Sequence, residues 1–374
     1  MTHEFIHACA GAGKTEHIVH RCSMTDKKAN RLVITLTTSG QDELISRLSS
    51  ACSPENIPDV IGWYTFLIHH YVRPYLPKLF PNIEPTGFIF DRNAHPPRLI
   101  YKSGSQRYFS ADGSLFKETL PELAIKIAEK AHPLVEQRLS QIYDEIIIDE
   151  VQDISRKSLD IIHRLLSQNS IKLIMVGDTR QSLIDSDQMS SKNRGADRLE
   201  LMNWYREHQK QGRIQITELS ETWRSNSGIA EFSDRIFPEE LHFARTKSVN
   251  SSNTGHDGVF FVHECDLSSY LTKFRPTALR PSIKVGKHLN HIDFQNIGRV
   301  KGLTFDRVII FPTQPMIDFI TKGDRLRDKS ACLFYVGVTR ARHSVAIIIS
   351  DKIRKKTHLD NLYIPITIWN PDNA

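Results

Sequence analysis

Residues 8–15 read ACAGAGKT and stand between an apolar run, EFIHA, and a helical-looking EHIVHRC. The stretch fits the phosphate-loop pattern GxxxxGK[ST], with Ala8 in place of the first glycine and Gly11, Gly13, Lys14 and Thr15 filling the other fixed positions. The motif requires a strand before it and a helix after it, and both are legible here. Glycines let successive backbone N–H groups along Ala10, Gly11, Ala12 and Gly13 turn inward on the phosphates of a nucleotide. Lys14 then neutralises the β- and γ-phosphates, and the Thr15 hydroxyl ligates Mg²⁺. A glycine-rich turn with a stray lysine would lack the strand and helix on either side. The loop alone leaves open whether it serves a kinase, a switch or a motor.

A hydrolysing loop needs a second carboxylate site at the end of a neighbouring strand. Residues 143–153 read YDEIIIDEVQD, and the run Ile146-Ile147-Ile148 reads as a strand buried on both faces. It ends in Asp149-Glu150, where parallel sheets present their ligands. Asp149 is expected to hold Mg²⁺ through water, and Glu150 to orient and polarise the attacking water. The bland alternative for the acidic pair alone is a solvated turn, but the longer DExQD string is far more particular.

Composition fits such a reading without forcing it. The chain has 374 residues, 40% of them hydrophobic, enough for two domains with separate cores. Lysine and arginine number 49 against 43 aspartate and glutamate, a formal net charge of +6 that is compatible with a polyanion partner. The five cysteines, Cys9, Cys22, Cys52, Cys265 and Cys332, include no CxxC pair, so neither a disulfide framework nor a zinc ribbon is indicated, and a reducing cytoplasm is the expected compartment. The opening MTHEFIHACAG has neither the basic start nor the long apolar core of a signal peptide, and no apolar run approaches the roughly 18 residues of a membrane span, so no membrane partner is expected.

DEVQD at 149–153 and VGDTRQS at 176–182 resemble motifs II and III of superfamily 1 helicases of the UvrD/Rep type. Further strings follow in the family's order: TLTTSGQDELISRL from Thr35, ETWRS from Glu221, VKGLTFD from Val300 and YVGVTRAR from Tyr335. The resemblance implies an α/β fold of two tandem RecA-like domains, parallel sheets flanked by helices, with ATP bound between them. It implies that Arg224 and Arg340 are γ-phosphate arginines, that Gln181 senses the γ-phosphate, and that Gly302 of VKGLTFD belongs to the ATP site. Trp223 stands where relatives carry an adenine-stacking tyrosine, and would either stack or sit in the core. Thr37 and Ser39 are the implied phosphate contacts to a single strand. Trp63, Tyr64 and Phe66 in VIGWYTFLIHHYVRPY form either a base-stacking platform or an ordinary core stripe.

Departures from the family shape the remaining expectations. The chain starts seven residues before Ala8, so the adenine-reading glutamine segment of relatives is not expected. Thr304 replaces a ribose-gripping glutamate, and QSLID lacks the aromatic residues that usually follow in motif III. The expected domains are 1A, residues 1–213, with a small 1B-like insertion at about 72–142, and 2A, residues 214–374, without a 2B insertion. Within 1B a hairpin around YKSGSQRYFSADGS and one helix across LPELAIKIAEKAHPLVEQRL are expected. The polar stretch RTKSVNSSNTGHDG reads as a surface loop, and the basic DKIRKK segment as a nucleic-acid contact or a solvated helix end. The function implied is a DNA-dependent ATPase moving 3′ to 5′ on single-stranded DNA, or on DNA with a single-stranded tail. The alternative is a regulatory or sensor ATPase subunit of a nuclease or other protein complex in DNA repair or phage defence.

Overall fold

The computed structural model describes residues 2–24, 29–91, 99–183, 200–350 and 362–371. The triple isoleucine of β6, Glu145–Ile148, explains the architecture of the first half. Successive side chains of a strand point to opposite faces. Ile147 therefore enters a cluster with Ile6, Val33, Ile174 and Leu44 on one face, while Ile146 and Ile148 enter the larger cluster on the other. A strand apolar on both sides must be covered on both sides, and a parallel sheet with helices on each face does this.

The first sheet has the order β3-β2-β6-β7-β1-β8, all parallel. Its other strands are β1, His3–Ala8, β2, Arg31–Thr35, β3, Asp59–Gly62, β7, Lys172–Gly177, and β8, Ile214–Leu219. On one face lie α1, Lys14–Ser23, and α2, Thr38–Ala51. The other face carries α3, Trp63–Leu67, with the π-turn Ile68–Val72 and the short α4, Arg73–Tyr75, that continue it. It also carries α5, Leu120–Lys130, α6, Leu134–Ile142, α7, Arg156–Leu166, and α8, Glu200–Lys210. The expected boundary at 213/214 cuts just ahead of β8, yet β8 hydrogen-bonds along β1 from Ile214 to Leu219 and belongs to the first sheet.

The insertion after α4 is fused to this core. Leu123, Ala124, Ile127 and Leu139 share the cluster that contains Phe5 and Ile34. Two expectations fail here. The single helix across 120–139 is two helices, because Pro133 has no N–H to donate and its ring excludes a helical continuation. The hairpin near 101–114 reduces to one antiparallel bridge, Phe109 to Leu115, closed by Ser110, whose Oγ donates to Ser114 O at 3.0 Å. Its far arm, β5, Ser114–Phe116, pairs instead in parallel with β4, Gly87–Ile89.

The second half repeats the scheme. Short β9, Glu221–Thr222, pairs with β10, Lys247–Ser248. The second sheet, ordered β13-β12-β14-β15-β11-β16, is again parallel throughout. Its strands are β11, Gly258–His263, β12, Thr277–Arg280, β13, Gln295–Asn296, β14, Phe305–Ile310, β15, Ala341–Ile349, and β16, Thr367–Ile368. Helices α9, Ser227–Arg235, α11, Gln314–Lys322, and α12, Asp328–Val338, cover one face, and α10, Leu267–Phe274, the other. Between α9 and β14 the described chain is consumed by this sheet and its loops. The polar stretch at 245–258 runs largely exposed, and the basic segment at 351–361 lies outside the described residues, as does the end of QSLID.

Because Ile147 is sealed between β-strand neighbours and helices, Ile147→Ala is expected to cost about 2–5 kcal/mol, read as a lowered midpoint in urea unfolding with an unchanged slope.

Candidate nucleotide site between the two sheets

From the end of β1 the chain turns through Cys9–Gly13 into α1. Gly11 and Gly13 hold φ of 79° and 75°, left-handed conformations that glycine adopts without steric cost. At Gly11 a second constraint applies. A Cβ there would lie 2.7 Å from Thr222 Oγ1 and from Arg224 Cβ, so the segment after β8 presses directly on the loop. Thr222 Oγ1 donates to Ala10 O at 2.8 Å, and Trp223 N donates to Gly11 O at 3.0 Å. Ala10 N donates to the Tyr335 hydroxyl on α12 at 3.1 Å, and Ala10 itself packs in the apolar cluster of the second sheet. Ala12 N donates to Cys9 O, and Thr15 lies half-buried in the first turn of α1. The loop is thus clasped from both halves of the molecule.

Lys14 Nζ stands 3.0 Å from Glu150 Oε1. Glu150 takes φ 52°, which a glutamate adopts only when its surroundings hold it there. Gln152 Nε2 donates to its other oxygen at 2.5 Å, and Lys301, arriving from the loop before β14, lies 3.5 Å from it and pairs with Asp153. Burial alone would raise the Glu150 carboxyl, but Lys14 and Lys301 outweigh it and hold the group well below the usual carboxylate range. Asp149 goes the other way. Burial first, then the charge of Glu150, pushes it up to about 7. Its Oδ1 is buried without a hydrogen-bond partner, an oxygen suited to a hard divalent cation. Together with the Thr15 hydroxyl it gives a donor set that fits Mg²⁺. Among the described residues, no group of three or more His, Cys, Asp or Glu could hold a metal ion on its own.

The second half supplies the cations opposite. Arg224 donates from Nη1 to Thr339 O at 3.1 Å. Arg340, only 1% exposed, donates from Nε to Val336 O at 3.0 Å, from Nη1 to Leu303 O at 3.2 Å and from Nη2 to Gln181 Oε1 at 3.4 Å. Burial, followed by the nearby Arg224, pulls Arg340 down to about 9. Two guanidinium groups this close in a cleft are an unbalanced charge that a bound polyanion would relieve. Gln181 is steered by Asp178, which accepts from Gln181 Nε2 at 2.9 Å, from the Tyr335 hydroxyl at 3.0 Å and from Arg180 Nε at 3.0 Å.

The structure therefore brings Lys14, Thr15, Asp149, Glu150, Gln181, Arg224 and Arg340 to one cleft. Sequence reasoning gave no role to Lys301, Asp178, Tyr335 or Gln152. The signal was present in VKGLTFD, VGDTRQS, YVGVTRAR and DEVQD, since each is an ionisable or polar residue inside a quoted motif. Trp223 is 67% exposed beside the loop, which excludes the core alternative. Gly302, exposed at φ 88°, follows Lys301 at the rim of the cleft. Thr37 caps α2 by accepting from Gly40 N at 3.1 Å, and Ser39 lies exposed in its first turn. The expected aromatic platform is corrected: Trp63 and Phe66, 2% and 0% exposed, are core residues, because α3 lays that face on the sheet, and only Tyr64 of the three reaches the surface edge.

The AAA domain family matches residues 2–186. An ATP-dependent helicase/nuclease subunit from Oenococcus oeni is 30% identical over 105 residues, which are 28% of this chain and 8% of that protein. The Gabija protein GajB of Bacillus cereus is 29% identical over 189 residues, 47% of this chain and 36% of that one. The chain thus matches well under half the length of either relative. Arterivirus nonstructural protein 10, a helicase, superposes with a TM-score of 0.45 at 14% identity over 95% of this chain and 62% of its own. Among the described residues no helix is long and apolar enough to cross a membrane.

Proposed function

We propose that this chain is a helicase-type ATPase of superfamily 1, stimulated by single-stranded DNA and moving along it, with the superfamily and the 3′ to 5′ direction resting on the resemblance of its motifs and supported by the AAA domain match and the likeness to a helicase/nuclease subunit. The observation that carries the reading is the convergence of Lys14 and Glu150 from one sheet with Arg224 and Arg340 from the other around a single phosphate loop. A site built from two halves can be opened and closed by its substrate, which is what a motor requires.

Lys14, with the loop amides, binds the β- and γ-phosphates of ATP. Thr15 and Asp149 would hold Mg²⁺, which when bound neutralises charge on the phosphates. Glu150, ionised beside two lysines, orients the attacking water and accepts its proton. Arg224 and Arg340 stabilise charge developing on the transferred phosphoryl group. Gln181 touches Arg340 and is held by Asp178, so loss of the γ-phosphate changes a contact that the second sheet feels. Trp223 stacks on the base: Trp223→Ala is expected to raise KM for ATP about 2- to 10-fold with kcat nearly unchanged, checked by steady-state kinetics.

The reading is tested by strand separation. The purified protein with ATP should release the strand of a short duplex carrying a 3′ single-stranded tail and leave a 5′-tailed duplex intact; release from the 5′-tailed substrate alone would overturn the direction. A second reading is favoured by the likeness to a helicase/nuclease subunit of Oenococcus oeni and by the short interval between α9 and β14. In it the ATPase gates a nuclease partner in DNA repair or phage defence. ATP turnover without strand separation on either substrate would favour it.

A further inference from the structure

Phe88 and Phe90 lie two residues apart on and just beyond β4, so they share one face of the strand. Phe88 is paired in register with Leu115 of β5, which brings Lys117 opposite Phe90 by the same period. The rings meet edge to face, 4.3 Å between centroids at 73°, and Tyr64 of α3 approaches Phe88 at 6.1 Å. Lys117 Nζ sits 4.9 Å from the Tyr64 centroid and 6.0 Å from that of Phe90. Phe90 is 63% exposed. A lone exposed phenylalanine needs no explanation, but three clustered rings with an ammonium among them do.

The cluster has a defined neighbourhood. Tyr64 follows directly on β3, and Gln41 of α2 donates from Nε2 to Val60 O at 3.2 Å, tying the start of α2 to that strand. The exposed Thr37 and Ser39 lie at the start of α2, which Gln41 ties to β3, the strand that Tyr64 follows. Stackable rings with a cation among them are a combination that takes single-stranded nucleic acid without reading its sequence.

We propose that Phe90, with Phe88, Tyr64 and Lys117, is a base-stacking site for the unpaired strand on the first domain. It rests on the single-strand reading above and names the residues that would hold the bases. The test uses a fluorescently labelled oligothymidylate and an abasic strand of equal length and charge, with anisotropy read on the full chain. Wild-type protein is expected to bind the oligothymidylate more tightly than the abasic strand. Phe90→Ala should weaken oligothymidylate binding about 5- to 160-fold, the range found for base-stacking rings, and leave abasic binding unchanged. Phe90→Leu, apolar but without a ring face, should behave like the alanine variant, with unfolding midpoints of both near wild type. Equal wild-type binding to both strands, or retention of the preference in Phe90→Ala, overturns this site while leaving the motor reading intact. Failure of wild-type protein to bind either strand overturns both. An oligouridylate arm distinguishes RNA from DNA.

Discussion

Arg340→Ala is expected to lower ATP turnover by a factor on the order of 10³–10⁵, the effect of removing an arginine that stabilises a transferring phosphoryl group. The geometry makes this position harder to replace than most. The guanidinium is buried and engages three elements at once through Val336 O, Leu303 O and Gln181 Oε1. A lysine keeps the charge but has no planar fork to reach them together, so Arg340→Lys should recover little of the loss. Nucleotide affinity, read with a fluorescent ATP analogue, should fall far less than kcat, because Lys14 and the loop amides remain. Turnover within tenfold of wild type in both variants would remove Arg340 from the chemistry.

Glu150→Gln is expected to reduce kcat by about 10²–10⁴ while nucleotide binding is kept or tightened. The amide is nearly the same shape, so Gln152 and Lys14 lose a charge partner but no packing. It cannot accept a proton from water, and it no longer places a negative charge beside a triphosphate. Single-turnover hydrolysis together with analogue binding separates the two effects. A variant that binds poorly and hydrolyses what it binds at the normal rate would show that Glu150 shapes the pocket rather than the reaction.

How much of this could be read from the sequence depended on whether the residues lie together along the chain. ACAGAGKT and IIIDE are contiguous strings whose strand context is local, so the loop, Asp149 and Glu150 were legible. Arg224, Gln181 and Arg340 came only from resemblance to a family, since nothing local distinguishes them from other polar residues. The pairs that tie the halves together were not legible. Lys301 meets Asp153 across 148 residues of sequence, and Tyr335 meets Asp178 across 157. Strand β8 shows why boundaries are hard to read: it lies at the edge of the first sheet, and only hydrogen bonding to β1 says which sheet owns it. Trp63 and Phe66 stayed ambiguous for a related reason, because an aromatic stripe has the same spacing whether it faces a core or a ligand. Phe88 and Phe90, outside every motif, carried no signal until β4 and β5 were paired.

DNA occupancy and ATP hydrolysis are expected to be coupled through the cleft between the sheets, and the motor reading of this chain turns on that coupling. The most direct test is the steady-state rate of ATP hydrolysis by the isolated protein with and without single-stranded DNA, with Glu150→Gln and Arg340→Ala as controls. Strong stimulation by DNA, absent from both variants, is the predicted result. Hydrolysis by wild-type protein that is indifferent to DNA, or that persists in the two variants, would contradict it.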